Sequence, residues 1–309
     1  MSKQEQYDVA VVGAGTAGLQ AAQTLGRMRQ SVLVLGTDRH RNDPATHMHN
    51  FLGHDGEPPA ELRAAARKDA ERYETVEFRD RGVLHVGGEA GAFTLVLDGD
   101  ETARARRVLL ATGVVDELPD VPGLAELFGD VVAHCPFCHG YEFADTPVGI
   151  LGSAAYVGHL AALVAPIASE LVVLTDGGTL EPESVATLQR LGAEVRDERV
   201  LGTCRGSLGL TVELDGAPAL DLGGLLVKTA WRQAAPFADQ LGLDMSEVGA
   251  VLVDAFGRTS RPGVYAAGDM AQPPGLPMPM ASVLTAASAG LVAAATCVQD
   301  AALERASQG

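Results

Sequence analysis

Residues 7–35 read YDVAVVGAGTAGLQAAQTLGRMRQSVLVL. The first six, Tyr7–Val12, form a continuous apolar run of strand type, and residues 31–35 form a second. Residues 19–29 between them have the character of a helix, so the stretch predicts one βαβ unit. Gly13, Gly15 and Gly18 stand at its first turn in the G-x-G-x-x-G spacing. Glycines so placed allow a tight turn, close approach of a diphosphate and close helix–strand packing, with the helix N-terminus facing the phosphates. The spacing alone is a weak signal. With strand, helix and second strand around it, it predicts a dinucleotide site.

Two later runs support the same site. VLLATG (108–113) and GVYAAGD (263–269) each read as a buried strand ending in a small-residue turn. Asp269 at such a strand end can accept hydrogen bonds from sugar-like hydroxyls. Taken alone it reads rather as a solvated turn carboxylate or the cap of the following helix. A second βαβ pattern starts at Pro147: strand 148–151, a turn at Gly152, helix 156–168 and strand 171–174. The expected fold class is α/β, with two Rossmann-like, doubly wound nucleotide-binding-type domains.

Composition narrows the partners. The chain has 309 residues, long enough for two domains, and a formal charge of −17, which opposes nucleic acid or an anionic membrane surface. The N-terminus runs from a polar start straight into a strand, unlike a signal peptide, so a cytoplasmic location is expected. Residues 281–298 approach a membrane-spanning length, but their Ala, Ser and Thr content predicts a buried helix instead. Four cysteines are too few for a disulfide scaffold. Cys204 and Cys297 read as ordinary thiols, whereas Cys135 and Cys138 stand in HCPFCHGYE (134–142) as a reactive pair. His134 and His139 flank that pair, so zinc must be weighed. Zinc sites draw ligands from separate turns, and the second pair is missing here, His47 and His49 being the nearest help; no metal is expected.

The order GAGTAG, VLLATG, CPFC, second βαβ unit, GVYAAGD resembles the low-molecular-weight thioredoxin reductase family of flavoproteins across nearly the whole chain. The CxxC between the ATG strand and the second unit is the most specific feature. The resemblance implies an FAD domain from residues 1–115 and 250–309, and an inserted pyridine-nucleotide-type domain, 116–249, that carries the CxxC. It implies a homodimer. It also implies FAD contacts from Gly13, Gly15, Ala17 and Gly18, from Val83, from Ala111, Thr112 and Gly113, and from Gly268. Asp38 matches the family's acidic ribose ligand, Asn42 a flavin-contacting amide, Asn50 the Asn of an Asn-aromatic-x-Gly, and Asp269 the ribityl-binding aspartate. The helix from Ser282 would aim its N-terminus, around Val283, at the flavin pyrimidine edge. By the same analogy Cys138 sits against the flavin and Cys135 exchanges with substrate.

The chain departs from a reductase in four places. The second fingerprint reads GSAAYV, so Ala154 and Val157 replace its later small positions. The stretch after the next strand is LTDGGTLEPES, with Asp176, Glu181 and Glu183 where the family has arginines for a 2′-phosphate. NADPH binding is therefore expected to be lost; Asp176 reads either as a ribose ligand or as a turn residue. The family's acid–base carboxylate after the second cysteine is here His139, a candidate base, since an imidazole changes charge near neutral pH; the other reading is a surface imidazole beside a turn. For His134 a catalytic and a plain packing role stay open. Lastly, PPGLPMPM (273–280) suits an adaptable apolar wall for a small molecule. Together these features are similar to the subgroup that closes disulfides in holomycin- and gliotoxin-type natural products. The expected function is an FAD-dependent dithiol oxidase acting on a small-molecule dithiol, with molecular oxygen as acceptor and hydrogen peroxide as product. The alternatives are an NAD(P)H- or ferredoxin-dependent disulfide reductase and a flavin-bearing redox sensor.

Overall fold

The structure, a computed structural model, describes residues 6–307. Its contacts divide the chain into two units: one of Met1–Arg41, Ala60–Val115 and Arg232–Gly309, the other of Asn42–Pro59 and Asp116–Trp231.

The first unit begins with β1 (Tyr7–Val12), α1 (Thr16–Arg27) and β2 (Val32–Leu35). Both strands are almost wholly buried, which is why they read as continuous apolar runs rather than alternating ones. Helix α1 starts directly after its Gly15 cap, three residues before the expected start. Then come α2 (Pro59–Ala70), β3 (Val76–Arg79), the hairpin β4 (Val83–Glu89) and β5 (Ala92–Leu97), the long β6 (Thr102–Leu110) and β7 (Val114–Glu117).

The second unit holds β8 (Val132–Ala133), the single-turn α3 (Pro136–His139), β9 (Pro147–Leu151), α4 (Tyr156–Val164), β10 (Glu170–Leu174), α5 (Pro182–Leu191) and β11 (Glu194–Arg196). An antiparallel trio, β12 (Val200–Arg205), β13 (Leu210–Leu214) and β14 (Leu220–Leu222), precedes β15 (Gly224–Val227) and β16 (Ala230–Gln233). The sheet β11-β10-β9-β15-β8 is parallel throughout. Helix α4 ends at Val164, four residues short of the expected end.

The chain returns to the first unit with α6 (Phe237–Leu241), β17 (Val251–Leu252), β18 (Val264–Ala266), β19 (Ala271–Gln272) and α7 (Val283–Ser307). The first sheet runs β3-β2-β1-β6-β5-β4, with β18 parallel to the last residues of β6. Helix α7 packs on α1 so closely that a Cβ at Gly290 would fall on the Ala17 carbonyl oxygen. Of its six buried residues, Gly290, Ala293, Ala294, Cys297 and Ala301 make one stripe at helical spacing, and Thr296 lies beside it. Among the described residues, α7 is the one helix long and apolar enough to cross a membrane by length and composition. It runs nine residues past the expected 298, because Asp300 and Glu304 pair with Arg258 and Arg107 instead of ending it.

The division differs from the expected one in two places. Residues 232–249, assigned to the inserted domain, group with the first unit. Gln240 accepts from the Val86 N–H at 2.9 Å and donates to the Leu84 carbonyl at 3.2 Å. Arg261 donates to the Leu241 carbonyl at 2.7 Å. Residues 42–59, assigned to the FAD domain, group with the second unit. Pro44 lies against Gly129, and His49 Nε2 is 3.4 Å from the Glu142 carboxylate.

Candidate active site

Cys135 and Cys138 form a disulfide with their Cα atoms 5.3 Å apart. The turn that presents them is made locally. Cys135 caps α3, Pro136 takes the first helical position, where its missing N–H costs nothing, and the Cys138 and His139 N–H groups donate to the Cys135 carbonyl at 3.2 Å. Phe137, between the cysteines, is 68% exposed and Tyr141 84%, so aromatic surface flanks the disulfide.

His139 lies on the inner side of this turn. Its Nε2 is 3.2 Å from the Gly129 carbonyl oxygen, and a carbonyl only accepts, so Nε2 carries a proton. Its Nδ1 is buried and has no partner among the described residues. The Gly129 carbonyl is itself located by Pro44, which a Cβ on Gly129 would meet at 2.6 Å. His134 is exposed and lies nearly flat on Phe128, ring centroids 5.7 Å apart.

In the first unit the fingerprint glycines serve steric needs. Gly13 has φ +115°, and a Cβ there would fall on the Ala111 carbonyl; a Cβ on Gly18 would fall on the Gly13 carbonyl. Ala111 donates to the Val12 carbonyl at 2.8 Å, locking VLLATG to the same turn. The outer side of the turn is open: a Cβ on Gly15 would meet only His40 Nδ1, at 3.9 Å, and one on Gly113 would meet nothing within 4 Å. This cradle fits a dinucleotide diphosphate. Gly268 packs on Ala17, and Thr112 Oγ1 is 3.3 Å from Met270 Sδ. Asp38 is exposed just past β2, and Val83 opens β4 beside Gly82, which borders Thr37. Ser282 caps α7, its Oγ accepting from the Thr285 N–H at 3.1 Å, and Val283 is the first helical residue. Asn42 and Asn50 lie in the 42–59 segment of the second unit. Asn50 has φ +63°, and its N–H donates to Asp55 at 2.7 Å.

Two residues went unread in the sequence. Arg41 pairs with Asp269, Nη1 to Oδ2, at 2.8 Å. The signal for it was a basic run, Arg39 to Arg41, inside an acidic chain. The other is Tyr156, in the second βαβ turn. Gly152 has φ +137°, and a Cβ there would fall on the Tyr156 hydroxyl, which donates to the Leu151 carbonyl at 2.9 Å. Burial pushes that phenol's pKa up, and Lys228 Nζ sits 5.0 Å over the ring. The side chain thus fills the space beside the first glycine of the second turn. Asp176 takes the turn role: Oδ1 accepts from the Val200 N–H at 2.8 Å and from Arg199 Nε at 3.2 Å. Among the described residues no group of three or more His, Cys, Asp or Glu could hold a metal ion.

With a dinucleotide cradle on one unit and a redox-active disulfide on the other, the chain has the equipment of a disulfide oxidoreductase. The sequence profile of the pyridine nucleotide-disulphide oxidoreductase family matches residues 7–290, and the chain belongs to that family. It is a thioredoxin reductase-like flavin thiol/disulfide oxidoreductase. Thioredoxin reductase sirT of Leptosphaeria maculans is 33% identical, over 93% of this chain and 92% of its own length. The crystal structure of HlmI superposes with TM-score 0.90 at 32% identity, covering 100% of this chain and 96% of that one. An oxidoreductase from Agrobacterium tumefaciens superposes with TM-score 0.88 at 31% identity, covering 96% and 99%. The family implies a flavin cofactor, and the open turn at Gly15 fits one.

Proposed function

We propose that the protein is an FAD-dependent dithiol oxidase that closes an intramolecular disulfide in a small-molecule dithiol. The observation that carries this reading is the Cys135–Cys138 disulfide followed directly by His139, whose buried Nδ1 has no partner among the described residues. His139 Nδ1 takes the proton of one substrate thiol. The thiolate attacks Cys135 Sγ, the Cys135–Cys138 bond breaks, and Cys138 leaves as a thiolate. The substrate's second thiolate attacks the substrate sulfur of the mixed disulfide and releases Cys135, so the product loses two electrons and two protons while the cysteine pair gains the two electrons. FAD, when bound, supplies the two-electron acceptor that restores the disulfide, with dioxygen as final oxidant and hydrogen peroxide as product. The first unit holds it through Gly13, Gly15, Ala17, Gly18, Asp38, Ala111, Thr112, Gly113, Gly268 and Asp269. A homodimer in the cytoplasm completes the reading.

A second reading, a disulfide reductase fed by a nicotinamide, draws on the thioredoxin reductase name of the fungal relative. Anaerobic titration of the yellow holoprotein separates the two. A small dithiol should bleach the flavin band and NADH or NADPH should not, with air restoring the colour and yielding one peroxide per dithiol. Rapid bleaching by either nicotinamide would overturn the oxidase reading.

A further inference from the structure

We infer that a cleft at the far end of the first sheet from the glycine turn binds a phosphate monoester, held on the side-on edge of Arg107. The cleft has a volume of about 490 Å³, and Asp8, Arg106, Arg107, Gly263, Glu304 and Arg305 are among the residues that line it. Its place follows from the strands. Asp8 is the second residue of β1, and Gly263 directly precedes β18, whereas Gly13 and the ATG turn follow the other ends of β1 and β6. Glu304 and Arg305 lie in the last turn of α7, whose first turn is at Val283. The site is therefore separate from the dinucleotide cradle.

Two arginine–carboxylate pairs one helical turn apart on α7 differ in a telling way. Arg258 grips Asp300 side-on, with Nε at 2.8 Å and Nη2 at 2.7 Å. Arg107 reaches Glu304 through Nη2, and its buried Nε has no partner among the described residues. An edge that can hold two oxygens at once thus leaves one donor unmet, which costs free energy in a buried place. Arg107 is fixed within β6 and 6% exposed, while the Glu304 side chain is 61% exposed. The arginine is the permanent member of the pair and the carboxylate the exchangeable one. An oxyanion that takes the place of Glu304 meets Nε and Nη2 together.

Charge sets the class of ligand. Three arginines and two carboxylates line the cleft, an excess of one positive charge that becomes two once Glu304 turns out to solvent. Asp8 stays at the edge, accepting from the Ser31 N–H at 3.0 Å and lying 3.7 Å from Arg106 Nε. In a chain of formal charge −17 this is a local reversal of sign, and it matches a phosphate monoester, which carries nearly two negative charges at neutral pH. The volume is in the range of small-molecule sites rather than of a bare ion, so the phosphate bears an organic group.

The test is isothermal titration calorimetry of the protein as purified, with phenyl phosphate and, separately, inorganic phosphate. Phenyl phosphate should bind saturably, one per chain, and more tightly than inorganic phosphate. Glu304→Gln removes the competitor for Arg107 and should tighten the Kd by about 3- to 10-fold, whereas Arg106→Ala and Arg305→Ala should each weaken it by about the same factor. Arg106 and Arg305 are both exposed, so these two variants leave the buried pair intact, and circular dichroism confirms that each folds. Absence of saturable binding would overturn the inference, as would equal affinity for the two phosphates or a Glu304→Gln variant that binds no more tightly than the parent. Binding at the glycine turn instead would leave all three variants parent-like, and that outcome too would sink it.

Discussion

Replacing Cys138 by serine leaves the glycine cradle of the first unit untouched and removes one half of the disulfide. The variant should keep its yellow colour yet lose oxygen-dependent dithiol turnover; turnover at the parent rate would sink the exchange mechanism. His139→Gln keeps a donor for the Gly129 carbonyl but has no basic lone pair at the Nδ1 position. Single-turnover exchange with a dithiol should slow by about 100- to 10,000-fold, while flavin content stays at the parent level. Equal rates would return His139 to the role of a packed turn residue, stacked on Phe143. The cysteine pair was readable in sequence because α3 is one local turn. Arg41 with Asp269 was not, since nothing local brings together residues 228 positions apart.

Elements carry a different kind of information. The βαβ pattern of β1, α1 and β2 was legible from apolar runs and glycine spacing, and so was the second, from Pro147 on. What that second turn does with its own Tyr156 was hidden, because a side chain folding back over Gly152 is a matter of rotamer and burial. The length of α7 was underread for a related reason. Its last turns are charged, and their partners Arg107 and Arg258 sit elsewhere in the chain. Two measurements test how α7 is held. Gly290→Ala gains about 1 kcal/mol of helix propensity but drives a methyl into the Ala17 carbonyl. A net loss of about 1–2 kcal/mol in chemical denaturation is expected. A stabilised variant would mean α1 and α7 stand further apart. Hydrogen bonds from Arg258, with one from the Tyr265 hydroxyl, hold the Asp300 carboxyl below the ordinary range. A depressed carboxyl stabilises above its unfolded value, about 3.9, and that contribution is lost as pH falls through the folded one. Asp300→Asn should therefore cost about 1 kcal/mol near neutral pH, discounted for its partial exposure. The difference should close as pH falls through the depressed folded value, and a gap that persists in stronger acid would assign the loss to packing.

At the scale of the whole chain, two nucleotide-type folds were legible and their borders were not. Residues 232–249 sort by tertiary hydrogen bonds, and residues 42–59 by the Pro44–Gly129 contact and the His49–Glu142 pair, none of which the sequence marks. The proposed homodimer predicts sedimentation at twice the chain mass at micromolar concentration, and a monomeric holoprotein with full turnover would remove that part of the reading. The long strand β6 is shared: β1 lies along one side, while β5 takes the first residues of the other side and β18 the last. On the ribosome this imposes a schedule. Residues 102–110 emerge long before 264–266, so the edge that β18 will cover waits, unpaired, while more than a hundred residues of the second unit are made. Parallel pairing across that gap is slow and leaves apolar strand exposed in the meantime. A nascent chain stalled ahead of residue 264 is the species a chaperone should bind, and release should follow once α7 has left the exit tunnel.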